Sequence, residues 1–326
     1  MNSLLKLTFT NYNIIIVENG SKDDSLSRIQ DWILKYDFNA LLFDRDNQKI
    51  SKYKEVINHQ TNVGKKNIFI VYYKDNIGFP GGNKVGIEIA EILDPEYVWL
   101  LNNDTIVEPS SLKILVDFLD EKKDYVGVSP LIRNYYDQDK IWSAGGTISW
   151  FGGLSRNLNI KSKKNIIDNY IDVNFITHCA SLYRMDLLKA IPLPEHNWAD
   201  DDFEYCHSLK KKTLKLSCKT DAVIYHKISQ TYKLSEKTKN FENISAIGNC
   251  YSDCLANLIT IRKNYIFIIY LFWVFINSFK FAFYCIKDKI SIYKIIVLVK
   301  NLIIDSFCLT AHDRDVTYHA LNIYND

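Results

Sequence analysis

Short β-branched or aromatic runs alternate with amphipathic stretches through the first two-thirds of the chain. The runs at 13–17, 40–43, 68–72, 97–101 and 125–129 predict strands. The stretches at 25–35, 83–92 and 111–122 predict helices, the last opened by Pro109 and Ser110. Strands and helices in alternation predict an α/β domain with a largely parallel sheet. From about 141 to 227 the pattern is less regular and holds the densest group of acidic and histidine residues. No internal repeat is visible.

The last hundred residues change character. The stretch 265–286, YIFIIYLFWVFINSFKFAFYCI, is almost wholly apolar and aromatic, broken by Asn277, Ser278 and Lys280. Its length suffices to cross a bilayer. The polar breaks, with Arg262 and Lys263 before it and Lys287 and Lys289 after it, suit a helix lying in the membrane interface equally well, and a buried core helix is the bland alternative. A second apolar stretch with spaced lysines follows at 290–304, so a hairpin of two interfacial helices is expected.

At 326 residues, 47% hydrophobic and 24% charged, the chain is long enough for one catalytic-sized domain and a smaller appendage, here divided as 1–235 and 236–326. A net charge of +2 argues against a dedicated nucleic-acid binder, and the lysine clusters at 161–164 and 210–212 read as solvated faces. Seven cysteines without a CxxC pair suggest neither a disulfide framework nor a zinc knuckle, and a reducing cytosol is the simplest compartment. The opening MNSLLKLTFTNYN has no basic n-region and no long apolar core, so no signal peptide is expected.

Four segments carry candidate chemistry. In IIIVENGSKDDS (14–25) a strand runs into a small, acidic loop of the kind that binds ligands at the carboxyl edge of an α/β sheet. Glu18 and Asn19 there can accept hydrogen bonds from a nucleoside, while Asp23, Asp24 and Ser25 serve as helix caps. In NIGFPGGNKVG (76–86) Gly78, Gly81 and Gly82 let the backbone approach a ligand just before a helix, where free amides favour a diphosphate; a structural turn would use the same glycines. In YVWLLNNDT (97–105) a buried strand ends in Asn102-Asn103-Asp104, and Asn102 with Asp104 offers oxygen ligands to a hard divalent cation, an ordinary turn being the alternative. In WADDDFEY (198–205) three adjacent carboxylates are costly unless a cation is near or one holds a proton, although a solvated helix start also favours acidic residues. Downstream, VIYHK (223–227) presents His226 among apolar neighbours, where a buried imidazole needs a metal or carboxylate partner.

In this order and at these intervals the segments, together with FITHCASLYRMDLL (175–188) and YHKIS (225–229), resemble the family 2 inverting glycosyltransferases of GT-A fold, in the branch of rhamnosyl- and galactofuranosyltransferases; the likeness spans roughly 5–230. The resemblance implies a mostly parallel central sheet with apolar C-terminal helices appended. It puts Asn102, Asp104 and His226 on a site for Mn²⁺ or Mg²⁺, and Asp202 as general base with Asp201 beside it. It puts Glu18, Asn19, Asn76, Gly81, Gly82, Asn83 and Asn103 along the donor, with Gly81-Gly82-Asn83 as a loop by its sugar and phosphates. The implied donor is a nucleotide-diphosphate sugar, dTDP-rhamnose or a UDP-sugar. The implied acceptor is a glycan or a lipid-linked acceptor in cell-surface polysaccharide synthesis, on the cytoplasmic side of the membrane, with the enzyme peripheral or holding one embedded helix.

Two departures stand out. The family's opening strand, of the type IVTYN, is missing ahead of a helix expected to start near residue 2, and Asn102 replaces the first acidic residue of the metal motif. The missing strand keeps open a second reading, a non-catalytic glycosyltransferase-like protein that binds glycan or membrane. A nucleotidyltransferase is disfavoured, because no glycine-rich basic loop lies near the N-terminus.

Overall fold

The computed structural model describes residues 1–36, 38–46, 50–60, 67–156, 169–194, 201–227 and 246–310. The 161–164 lysines, 198–200 of the acidic segment and 228–229 of YHKIS lie outside the described residues.

Strands β1 (Ile14–Asn19), β2 (Asn39–Asp44) and β3 (Asn67–Tyr73) form an all-parallel sheet in the order β1-β3-β2. β3 is central, and its run Ile68, Phe69, Ile70 and Val71 is buried on both faces. Because side chains alternate along a strand, Phe69 and Val71 join a core with Tyr53 of α2 (Ile50–Gln60) and Val85 and Ile89 of α3 (Gly78–Leu93). Ile68 and Ile70 face the other way, onto Ile33 of α1 (Ser25–Lys35).

The second sheet has seven strands: β4 (Tyr97–Leu101), β5 (Thr105–Val107), β6 (Tyr125–Asn134), β7 (Ile141–Ser143), β10 (Tyr170–Val173), β11 (Ala180–Arg184) and β12 (Lys215–His226). Their order is β10-β12-β6-β11-β4, with β5 on β12 and β7 on β6, and only the β6–β12 pair is parallel. The sheet is therefore mixed rather than largely parallel. An apolar run fixes that a strand is buried, whereas its direction depends on which strand it meets, and the irregular stretch after 141 supplies the antiparallel partners. A separate hairpin joins β8 (Gly146–Ile148) to β9 (Leu154–Arg156). Helices α4 (Ser111–Glu121), α5 (Met185–Ala190) and α6 (Asp201–Lys211) complete this layer.

Two local expectations are corrected. The chain opens with a single 3-10 turn at Leu4–Lys6, not a helix; Leu7 is buried in the α4 core and Thr8 donates from its backbone N to Pro109 O. And α3 starts at Gly78, so Gly81, Gly82 and Asn83 are its first turns and not a loop. Asn76 Oδ1 accepts from Gly78 N at 2.8 Å, which fixes that start, and Pro80 is tolerated where no intrahelical donor is needed. Gly82 and Gly86 face Val17 of β1, where a Cβ would make ordinary contacts of 3.8 and 3.6 Å.

The C-terminal part is a three-helix unit: α7 (Ala246–Asn264), α8 (Phe267–Lys287) and α9 (Ile292–Cys308). α8 and α9 match the expected apolar pair. α7 packs on both and also on α6, with Ile247, Tyr251, Leu255, Leu258 and Ile261 buried. Among the described residues α8 is the one helix long and apolar enough to cross a membrane. Six cysteines are buried and Cys308, at the end of α9, is exposed.

Candidate active site

The polar corner after β4 is built by strand pairing. Asn102 N donates to Cys179 O at 2.9 Å, Thr105 Oγ1 donates to Asn102 O at 2.7 Å, and Thr105 pairs in register with His226 at the end of β12. That register sets His226 Nε2 3.0 Å from Asp104 Oδ1, both largely buried, with the Trp142 ring edge-on to the imidazole at 4.5 Å. Asn102 Oδ1 and His226 Nδ1 are buried without a hydrogen-bond partner, and Asp104 Oδ1 has only its contact with His226 Nε2. Orphaned polar atoms are rare in a folded interior, and a carboxylate, an amide oxygen and an imidazole are a donor set that fits a divalent cation. No group of three His, Cys, Asp or Glu residues that could hold a metal ion converges among the described residues.

The acidic segment forms the first turn of α6. Asp201 is buried and its Oδ2 accepts from His178 Nδ1 at 2.7 Å; His178, between β10 and β11, is fully buried too. Burial opposes a charge on this ring, but the Asp201 carboxylate, its hydrogen bond and the charge of Asp202 outweigh it and hold the His178 pKa above the ordinary value. Asp202 is only half-buried. The thiol of Cys179 is pushed up first by burial and then by the charges of both Asp104 and Asp202. The corner at 102–104 and the start of α6 are both tied to the loop 177–179, the first through Asn102 N on Cys179 O and the second through His178 on Asp201. His178 stands in a segment whose resemblance is visible in the sequence, but no spacing rule marks it as the partner of Asp201.

The donor-side residues divide. Glu18 Oε1 accepts from Ser21 N at 2.8 Å and closes its own loop. Asn19 Nδ2 donates to Asn76 Oδ1 and to Gly78 O, and Asn19 Oδ1 accepts from Ile77 N, so Asn19 and Asn76 are spent latching β1 to the start of α3. Gly20 is required there: its φ is +70° and a Cβ would stand 2.5 Å from the Asp75 carbonyl carbon. Asn83 Nδ2 is buried without a partner, and Asn103 is exposed at the corner; these two remain available to a ligand.

A family model described as "Glycosyl transferase family 2" matches residues 1–191, more than half of the chain. The chain belongs to glycosyl transferase family 2. Its fold is accordingly the GT-A-like α/β fold of that family, and the match stops short of Asp201, Asp202 and His226. Among solved structures the chain is similar to GalNAc-T7 crystallised with UDP, GalNAc and Mn2+, at 13% identity and TM-score 0.44, covering 66% of this chain and 43% of that one. It is also similar to A197 from STIV, at 9% identity and TM-score 0.35, covering 58% of this chain and 85% of that one. No curated protein matches.

In this family 2 chain α6 is also clamped to the C-terminal helices. Glu204 Oε1 accepts from Lys263 Nζ at 2.8 Å, and Tyr265 OH lies 3.2 Å from His207 Nδ1. Burial, with a smaller contribution from Lys210, pulls the His207 pKa down to about 3. The folded value lies below the ordinary 6.5, so the unfolded chain binds the extra proton and stability falls as pH drops from about 6.5 toward 3. Chemical denaturation at pH 7 and pH 5 is expected to show a loss of about 2 kcal/mol from this group, the slope being at most ~1.4 kcal/mol per pH unit. His207→Gln flattens that slope; an unchanged slope in the variant assigns it to other groups.

Proposed function

We propose that the protein transfers a sugar, with inversion, from a nucleotide-diphosphate donor to a hydroxyl of a glycan or lipid-linked acceptor. The observation that carries this is that the Asp104–His226 corner and the Asp201–Asp202 turn are both anchored on the loop 177–179, through Asn102 on Cys179 and His178 on Asp201. The reading is supported by a donor set of a chemistry that fits a cation on one side of that loop and the half-buried Asp202 carboxylate on the other.

Asp202 takes the proton from the acceptor hydroxyl as that oxygen attacks the anomeric carbon in line. The bond from that carbon to the diphosphate oxygen breaks as the new one forms, so a single displacement inverts the centre. Asp201, tied to His178, keeps its neighbour's turn in place. Mn²⁺ or Mg²⁺ would be held by Asp104 and His226 with Asn102, and when bound supplies Lewis-acid stabilisation of the departing diphosphate. Asn102 contributes no charge, so cation affinity is expected to be modest. Asn83 and Asn103 face the donor, while Asn19 and Asn76 shape the wall behind it.

Within the family we assign the chain to the rhamnosyl- and galactofuranosyltransferase-like branch, acting in cell-surface polysaccharide synthesis at the cytoplasmic side of the membrane. The catalytic part is residues 1–235 and the helical part 236–326. The support is the order of the sequence segments and the placement of Asn102 at the metal corner.

Calorimetric titration of UDP, dTDP and GDP with and without Mn²⁺ tests the reading. One nucleotide is expected to bind in a metal-dependent way, and His226→Ala is expected to lose the metal dependence. Absence of binding by all three nucleotides with Mn²⁺ present counts against the donor site and favours a non-catalytic binding protein.

A further inference from the structure

Helix α8 buries Tyr270, Phe281 and Cys285 on its inner face and still carries an apolar outer face. Phe267, Leu271, Phe275, Phe279 and Phe283, spaced four apart, all point outward and are more than one-third exposed, whereas Asn277 is turned inward and donates to Asn257 Oδ1 and Trp273 O. A helix on a soluble domain buries its apolar stripe and shows its polar one to water. α9 repeats the arrangement, with Ile292, Ile296 and Phe307 exposed and Ile295, Leu298 and Leu302 buried. An exposed apolar area of this extent marks a binding surface.

The patch continues onto the β8–β9 turn. Trp150 at its tip is 79% exposed. The turn is held to α8 by Trp273 Nε1, which donates to Phe151 O at 2.7 Å, and by the Phe151 ring stacked on Trp273. It is held to α6 by Lys210 Nζ, which donates to Ile148 O and Ser149 O. Gly152, with φ +92°, permits the close approach, since a Cβ there would stand 2.4 Å from Ile261 Cδ1. A tryptophan on a fixed turn beside an outward aromatic face is what anchors a protein at the boundary of water and hydrocarbon.

We propose that the outer face of α8 and α9, with the Trp150 turn, seats the protein flat on an anionic phospholipid bilayer. The charge fits: between 265 and 308 there are five lysines against two aspartates, and Lys280, Lys287, Lys289 and Lys300 are exposed. One of the aspartates, Asp305, is occupied by Tyr251 OH. A crossing of the bilayer by α8 is disfavoured by packing. Its inner face lies on α7, which is itself packed on α6 and tied to it through Lys263 and Glu204, so a spanning α8 would draw the catalytic layer toward hydrocarbon. The same α6 begins at Asp201 and Asp202, so seating this face fixes the orientation of the candidate site over the membrane. That consequence, a lipid-linked acceptor presented from the bilayer, rests on the function proposed above; the seating itself does not.

Vesicle flotation of the full chain tests the seating without any assay of transfer. The protein is expected to float with phosphatidylcholine vesicles containing about one-third phosphatidylglycerol and to float several-fold less with phosphatidylcholine alone. Phe275→Glu combined with Phe279→Glu, both at exposed positions, is expected to lower partitioning at least about tenfold while leaving the thermal melt unchanged. Should that pair not fold, Trp150→Ala serves instead: quenching of tryptophan emission by brominated lipid falls in the variant. Flotation unaffected by either change overturns the proposal. So does a wild-type chain that ignores vesicles and is a dimer by light scattering, because the face then belongs to a second copy.

Discussion

Asp202→Asn is expected to lower turnover by about 10² to 10⁴-fold with nucleotide affinity nearly unchanged, the range a positioned general base supplies. The carboxylate lies in the first turn of α6 and is half-buried, open enough to meet an acceptor hydroxyl. Its charge, with that of Asp104, adds to burial in raising the Cys179 pKa. The amide is isosteric and cannot take the proton, which separates a chemical role from a packing one. Steady-state kinetics with calorimetry of the same variant makes the check. Near-normal turnover removes Asp202 from the chemistry and leaves Asp201 as the next candidate.

His178→Ala is expected to destabilise the fold by about 3–5 kcal/mol, since it strands the buried Asp201 carboxylate without its partner. Asp201→Asn added to it is expected to recover part of the loss, because no buried charge then remains. The pH dependence has a definite sign. The folded pKa of His178 is raised, so the stability it contributes is fully present below the ordinary 6.5 and is lost as pH rises through the folded value. The gap between wild type and His178→Gln in denaturant titrations should therefore narrow at alkaline pH. A gap that widens there means the ring is neutral and serves as a plain hydrogen-bond donor.

Much of the architecture was legible in the chain because burial leaves a pattern. β4 and α1 lie at the predicted positions, and the central strand reads as an unbroken apolar run because both its faces are covered. The direction of the strands after 141 was not legible, since hydrophobicity says nothing of which neighbour a strand will meet. Helix α7 escaped notice for a related reason: it is wrapped by α6, α8 and α9, and a helix buried on several sides loses its amphipathic signature. At the site, Asp104 and His226 lie 3.0 Å apart because β5 pairs with β12. Asn19 and Asn76 are polar for the sake of a backbone junction, which no single-sequence pattern separates from ligand binding. His178 carries the converse lesson: its partner lies 23 positions away and becomes visible only when β11 pairs with β4 and β6.

The distribution of cysteines gives the chain a built-in gauge. Six thiols are sealed in the interior and Cys308 alone meets solvent. A short pulse of a thiol-alkylating reagent therefore adds one mass increment to a native molecule and seven to an unfolded one. Mass spectrometry of the mixture counts the two populations directly, and a dye placed through the single accessible sulfur reports on the end of α9.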